Sequence, residues 1–391
     1  MVPREALMRR RLILIAALLS LATSAQAQIG KQVPIRAGTP EDKALTEIYA
    51  TTDPAKKLQL LDKFLAEFGQ GEMALVAYEL YIAHYLAEKN YAKVFEYGEK
   101  ALALDPDSFP SALNLVRTAK EAGDIPKMFA YGERVAAILA RYKVQPAPEG
   151  TEPAAWEQRK ASTLSDIQDD VNYVQYTLFS LGSQAQDPAT KAALLERFVT
   201  AFPTSLYAAG GETLAFAAYQ QAQDNPKALA FAQNVLARDP NNYRMLLQLA
   251  DYWTERGEQL DKAEEYAKKA LDVLAQAQKP EHLSDEQWQQ QKSLQQGLAH
   301  SALGQVYIRK DRNADAFEAF KTASPLLKAS DYFYGRNLYR LGFTLAKMNR
   351  LAEARTVLTE AVAVNSPFKS PAQEILNKIS AASHRPAQRR P

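Results

Sequence analysis

The sequence predicts an all-α fold, an α-solenoid in which antiparallel helix pairs stack one after another as a right-handed superhelix. Three observations predict it. From about residue 39 onward apolar residues recur at helical spacing, in segments of 12–25 residues parted by short polar breaks, with no strand-like alternation. Cap residues and prolines stand where those segments begin, as in Thr39-Pro40-Glu41-Asp42, Asp53-Pro54 and Asp187-Pro188. Finally, residues 53–123 overlay residues 187–257 at a constant offset of 134 without a gap, and 21 of the 71 pairs are identical.

The matching pairs are structural ones. They include Asp53-Pro54-Ala55 with Asp187-Pro188-Ala189, and Leu60, Leu61, Phe64 and Phe68 with Leu194, Leu195, Phe198 and Phe202. Tyr85 matches Tyr219, Asp105-Pro106 matches Asp239-Pro240, and Gly123 matches Gly257. Helical composition alone would scatter its matches. Here caps, core positions and turns share one register, so the two stretches read as copies of one module. About 17 helices are expected in all.

Taken in order, residues 1–27 read as a signal peptide. Arg4 and Arg9-Arg10-Arg11 precede an apolar run from Leu12 to Ala22, followed by the Ala25-Gln26-Ala27 cleavage signal. The run is 11 residues long, about half of the roughly 20 that a membrane-spanning helix needs. The expectation is therefore export to the periplasm or beyond, with no stable membrane insertion once the segment is removed. Residues 1–27 hold four Arg and one Glu, a net +3, so their loss turns the whole-chain +2 into −1. No basic stripe remains to neutralise phosphates, which argues against nucleic acid as a partner. The chain has no cysteine, which excludes disulfides, thiolate catalysis, Cys-bound zinc and a lipoprotein anchor.

Residues 28–38 read as a linker, 39–141 as the first helical half, and 142–158 as a connection, because Gln145–Pro153 is too rich in proline for a helix. The second half is expected over 159–380. It is interrupted near Lys279-Pro280-Glu281-His282-Leu283 before a long helix with Ser284-Asp285-Glu286 at its start, and a helix around Ala372–Ile379 caps its last apolar face. Residues 381–391, with three Arg and no apolar side chain larger than Ala, are expected to form a disordered basic tail.

Within each half a shorter period near 34 residues appears, and on it the chain resembles the tetratricopeptide repeat family. Tyr78, Tyr85 and Ala101-Leu102-Ala103-Leu104-Asp105-Pro106 fit one repeat beginning at Leu75, and further repeats begin near Phe109, Ala209, Tyr243, Gly297 and Gly335. The fifth supplies Gly304, Tyr307, Ala316, Phe320 and Ala323; the sixth supplies Gly342, Leu345, Ala354, Leu358 and Ala361. The fit departs from the family where Ile82, Val116 and Phe216 take the place of the small residue in the first helix of a pair, and Val94 and Met128 the place of one in the second. The resemblance implies that the first helix of each pair lines a concave groove. The positions it turns inward are Glu79, Leu113, Arg117, Lys120 and Glu121 in the first half. In the second they are Gln220, Gln221, Asp251, Thr254, Ser301, Gln305, Arg309, Arg336, Tyr339 and Lys347. The Lys/Asn set with which some members clamp a chaperone's C-terminal carboxylate is absent: the corresponding residues are Glu79 and Ala83, Leu113 and Arg117, Thr213 and Ala217.

No reaction centre emerges from the residues. His84, His282, His300 and His384 lack any metal-ligand spacing, and no nucleophile elbow, Walker loop or dinucleotide fingerprint is present. Gly210-Gly211 lacks the preceding strand of a phosphate loop. Asp166, Asp169 and Asp170 fall in a helix expected to start near Ser162, without the glycine-turned loop of an EF-hand. Most of the 19 tyrosines sit at packing positions. The expected function is a protein-interaction scaffold of the cell envelope, without cofactor or metal, that holds a peptide or partner protein in its groove. The alternative is a polysaccharide- or peptidoglycan-binding protein whose groove aromatics stack on sugars.

Overall fold

The computed structural model describes residues 29–280 and 283–383. The predicted signal peptide, His282, His384 and residues 384–391 of the predicted tail lie outside the described residues. Among those residues there are eighteen α-helices and no strand, and consecutive helices pack as antiparallel pairs. The fold is an α-solenoid of consecutive packed helix pairs. The chain divides into two compact units, one ending at Gly211 and the other beginning at Glu212.

The first unit holds α1 (Pro40–Ala50), α2 (Pro54–Phe68), α3 (Met73–Ala87), α4 (Tyr91–Leu104), α5 (Phe109–Glu121), α6 (Ile125–Val144), α7 (Pro153–Asp166), α8 (Gln168–Gln184) and α9 (Pro188–Ala201). The division falls within α10 (Ala208–Gln221). The second unit continues with α11 (Asn225–Arg238), α12 (Tyr243–Arg256), α13 (Leu260–Gln276), α14 (Asp285–Arg309), α15 (Asn313–Leu327), α16 (Asp331–Lys347), α17 (Leu351–Ala363) and α18 (Lys369–Ser383). None of these helices is long and apolar enough to cross a membrane.

Local chemistry sets the helix ends. Asp53 accepts a hydrogen bond from the Lys56 N–H at 2.7 Å and Asp187 one from the Thr190 N–H at 2.8 Å, each followed by a first-turn proline whose missing N–H costs nothing there. Ser284 and Gln287 form a reciprocal capping box at the start of α14. Asp105 and Asp239 terminate α4 and α11, because Pro106 and Pro240 disfavour helix in the residue before them.

Close approach between paired helices depends on missing side chains. A Cβ on Gly304 of α14 would stand 2.7 Å from the Phe320 ring of α15, and Gly342 of α16 meets Leu358 of α17 in the same way. Gly304 and Gly342 stand where the repeat resemblance puts the small residue of the first helix. In the first unit Gly182 of α8 receives Leu195 of α9 in the same way, and glycines on second helices serve the next pair: Gly98 of α4 receives Leu115 of α5, and Gly132 of α6 receives Leu178 of α8. At the C-terminal end Ala372 and Ile379 of α18 are buried in one cluster with Leu338, Leu341 and Leu345 of α16 and Ala354, Leu358 and Ala361 of α17.

Some boundaries differ from the sequence reading. The irregular connection covers 145–152 only, because α6 continues through Val144 and Pro153 opens α7. α7 is held by Trp156, whose indole N–H donates to the Gln145 carbonyl at 2.9 Å, and by buried Lys160. The Lys160 ammonium donates to the Lys143 and Gln145 carbonyls at 3.0 and 3.2 Å, satisfying the end of α6. A break at Ile167 places Asp166 at the end of α7 and Asp169 and Asp170 in the first turn of α8, rather than on one helix from Ser162. Ile29 is buried within the predicted linker, its carbonyl accepting from Phe109 N–H at 3.1 Å, while Lys31 N–H donates to Asp105 at 2.7 Å. α18 runs to Ser383, so the first three residues of the predicted tail are helical.

A charged cleft on the first helices of the pairs

In the second unit α12, α14 and α16 are neighbours, each the first helix of its pair. Arg244, Leu247, Gln248, Asp251, Tyr252, Glu255 and Arg256 recur on α12 at intervals of three and four, which sets them on one face. That face borders a cleft of about 430 Å³, closed by Leu294, Gln295, Leu298 and Ala302 of α14, by Phe333 and Arg336 of α16, and by Thr213 and Gln220 of α10. Leucines and Phe333 make the floor; guanidinium, carboxylate and amide groups make the walls.

A ladder of two ion pairs spans from α16 to α12. Arg336 donates to Asp251 at 2.9 Å, and one turn further Arg340 donates to Glu255. Both pairs join residues 85 apart in sequence, so an i, i+4 pair of acids on one helix meets an i, i+4 pair of arginines on the other. Burial works against the charge on Arg336, but the Asp251 carboxylate outweighs it and holds the guanidinium above its ordinary value. Arg340 goes the other way: burial, then repulsion from Arg336, pulls its pKa down to about 10, still fully charged at neutral pH. Ser301 Oγ and Gln305 Oε1 of α14, together with Asp251 Oδ1, Arg336 Nε and Arg340 Nη1, are buried without a hydrogen-bond partner in the protein. Polar groups left this way oppose folding by about 1–3 kcal/mol each.

The structure distributes the groove residues expected from the sequence. Asp251, Arg336 and Gln220 line the cleft; Gln221, the next residue along α10, is exposed away from it. Ser301 and Gln305 are buried, as is Thr254. Arg309 donates to the Glu255 carbonyl at 2.9 Å, Tyr339 stacks on Phe368, and Lys347 pairs with Asp311 at 2.9 Å. In the first unit Leu113 is buried, Arg117 pairs with Asp170 of α8, Lys120 sits 4.7 Å over the Tyr173 ring, and Glu121 accepts from Tyr91. Glu79 is half-buried, and burial, then the charge of Asp105, raises its pKa. His84 is buried on α3, its Nε2 3.5 Å from Glu88, and burial lowers the pKa of His300 on α14. Arg244, Glu255, Arg256, Phe333 and Arg340 were missed by the repeat positions. For Glu255 and Arg340 the sequence holds only matched i, i+4 spacings, Asp251 with Glu255 and Arg336 with Arg340, which gain meaning once α16 meets α12; Arg244, Arg256 and Phe333 carried no signal.

No protein-family model matches the chain, and no curated protein does. Solved structures similar to it include yeast Tom70, with a TM-score of 0.43 and 11% identity over 98% of this chain and 75% of that one. Another is the APC/C hetero-tetramer Cut9–Hcn1, at TM-score 0.40 and 13% identity, covering 86% of this chain. The chain spans 55% of the length of the Cut9–Hcn1 chain it matches. A third is a thermophilic TPR protein of Thermus thermophilus, at TM-score 0.36 and 18% identity over 53% of this chain and 99% of that one.

Proposed function

We propose that this chain is an exported scaffold that holds a segment of a partner protein in the cleft between α12, α14 and α16. The observation that carries the reading is the cleft lining. An apolar floor offers burial to side chains, and the amides of Gln220, Gln248 and Gln295 offer donors and acceptors to an extended main chain. We assign it no reaction. Export rests on the basic start, the Leu12–Ala22 run and Ala25-Gln26-Ala27.

Two measurements test the reading. Residues 28–391 and a variant with Gln248→Trp and Gln295→Trp, which fills the cleft from both walls, serve as paired baits against envelope extract. Partners are expected with the native chain and lost with the variant at unchanged helical circular dichroism; the same set recovered by both ends the cleft reading. Fractionation of cells expressing the full chain and the chain lacking residues 1–27 is expected to find only the former outside the cytoplasm. Equal distribution of the two overturns export.

A further inference from the structure

We infer that the occupant of the cleft is an extended acidic peptide, with two carboxylates about five or six residues apart flanking an apolar side chain. The inference rests on the cleft reading and adds the chemistry of the ligand.

The charges in the cleft do not balance. Arg336 is matched by Asp251 and Glu255 by Arg340, which leaves Arg244 and Arg256 at the two ends of the α12 face. Each is held by neutral partners. Arg244 Nε donates to the Tyr243 hydroxyl at 3.2 Å, with the guanidinium 5.5 Å from that ring. Arg256 lies 3.8 Å over the Tyr252 ring and donates to Asn225 Oδ1 at 3.0 Å. Neither lies within 4 Å of a carboxylate among the described residues. Glu212, whose charge interacts with Arg244, is already engaged by Asn242 at 2.8 Å and by Arg238 at 3.4 Å. Stacking on a ring fixes a guanidinium plane and leaves its N–H edge available to an anion.

The spacing then selects the ligand. Arg244 and Arg256 are twelve residues apart on one helix, about 18 Å at 1.5 Å per residue. One carboxylate or phosphate cannot reach both. An extended chain at about 3.3–3.6 Å per residue covers that distance in five or six residues. Between the arginines lie Leu247, Leu298 and Phe333, which favour an apolar side chain over a sugar-phosphate backbone.

The molecule contains its own control. At the offset of 134 that aligns the two copies, Arg244 corresponds to Pro110 and Arg256 to Ala122, so the first copy carries neither cation. The arginine pair therefore belongs to this cleft and not to the repeat.

The test is fluorescence anisotropy with residues 28–391 and a labelled octapeptide bearing two glutamates about five residues apart and a leucine between them. Binding is expected, weakening as salt rises. Arg244→Gln and Arg256→Gln are each expected to reduce affinity about three- to tenfold, and the double variant more, at unchanged thermal midpoint. Replacing both glutamates of the peptide by glutamine should reproduce the loss. Equal binding of the acid and amide peptides overturns the inference, as does native affinity in the double arginine variant, or tighter binding of an oligonucleotide of equal charge. If Gln248→Trp with Gln295→Trp abolishes partner capture while the acidic peptide fails to bind, the cleft reading stands and the acidic ligand is rejected.

Discussion

The copy at residues 53–123 and the copy at 187–257 keep their turns and diverge on the face of their last helix. α4 and α11 begin and end at corresponding residues, Tyr91–Leu104 and Asn225–Arg238. Asp105 and Asp239 both end a helix at φ −132°, and Gly123 and Gly257 turn at φ +69° and +71°. Even Lys89 and Gln223 share the left-handed backbone, at φ +55° and +58°, as the αL residue of matching helix C-caps closed by Asn90 N–H to the Tyr85 carbonyl and Asp224 N–H to the Tyr219 carbonyl. Leu113 and Leu115 persist as Leu247 and Leu249. Of the cleft-face residues Glu121 also persists, as Glu255, but the others do not: Pro110, Arg117, Thr118 and Ala122 correspond to Arg244, Asp251, Tyr252 and Arg256. The polarity of the ion pair reverses as well, Arg117 reaching Asp170 in one copy and Asp251 receiving Arg336 in the other. Packing fixes the hairpins; the cleft-side face of the copy's last helix is free to change chemistry.

The shared core gives the largest expected effect. Phe64 and Phe198 are fully buried counterparts. Phe64→Ala and Phe198→Ala are each expected to cost about 3–5 kcal/mol, read from the urea midpoint of the helical signal. A loss below about 1 kcal/mol at either position would show that the copies do not pack alike.

The divergent face gives a smaller, unequal effect. Arg336 is nearly buried, whereas Asp251 is about a third exposed and Arg117 and Asp170 are more exposed still. Arg336→Leu strands Asp251 and is expected to cost about 2 kcal/mol, a buried-pair loss reduced by solvent on the acid. Arg117→Leu should cost about 0–1 kcal/mol. Equal losses in denaturant titrations would break the contrast between the two faces.

How far the sequence reaches follows the same division. Asp53-Pro54, Asp105-Pro106 and Gly304 with Phe320 are local or periodic signals, and each is legible because backbone chemistry or one repeat period decides it. The ladder is not, since Arg340 and Glu255 lie 85 residues apart and gain meaning only when α16 reaches α12. Ser301 and Gln305 look like groove residues by repeat position, yet α14 is a 25-residue helix packed against both α12 and α16, and this buries them. Ile29 could not be read as core, because its site is made by the α4–α5 turn some 75 residues on.

The smallest effect tests whether the first copy carries its own electrostatic cost. Glu79 on α3 corresponds to Thr213, so only the first copy sets a carboxylate at this position. Its pKa is raised by burial and then by the like charge of Asp105. A carboxyl whose folded pKa lies above its unfolded value, about 4.3 for glutamate, binds its proton more tightly in the native state. Stability therefore falls as pH rises through that interval, and above it ionised Glu79 opposes folding by a constant amount. Glu79→Gln keeps the shape and removes the charge. It is expected to raise the urea midpoint at pH 7 and to leave it unchanged near pH 3, where native Glu79 is already neutral. A midpoint that falls at pH 7 would mean that ionised Glu79 makes a favourable contact stronger than its desolvation, and the first copy's face would then be as electrostatically organised as the second's.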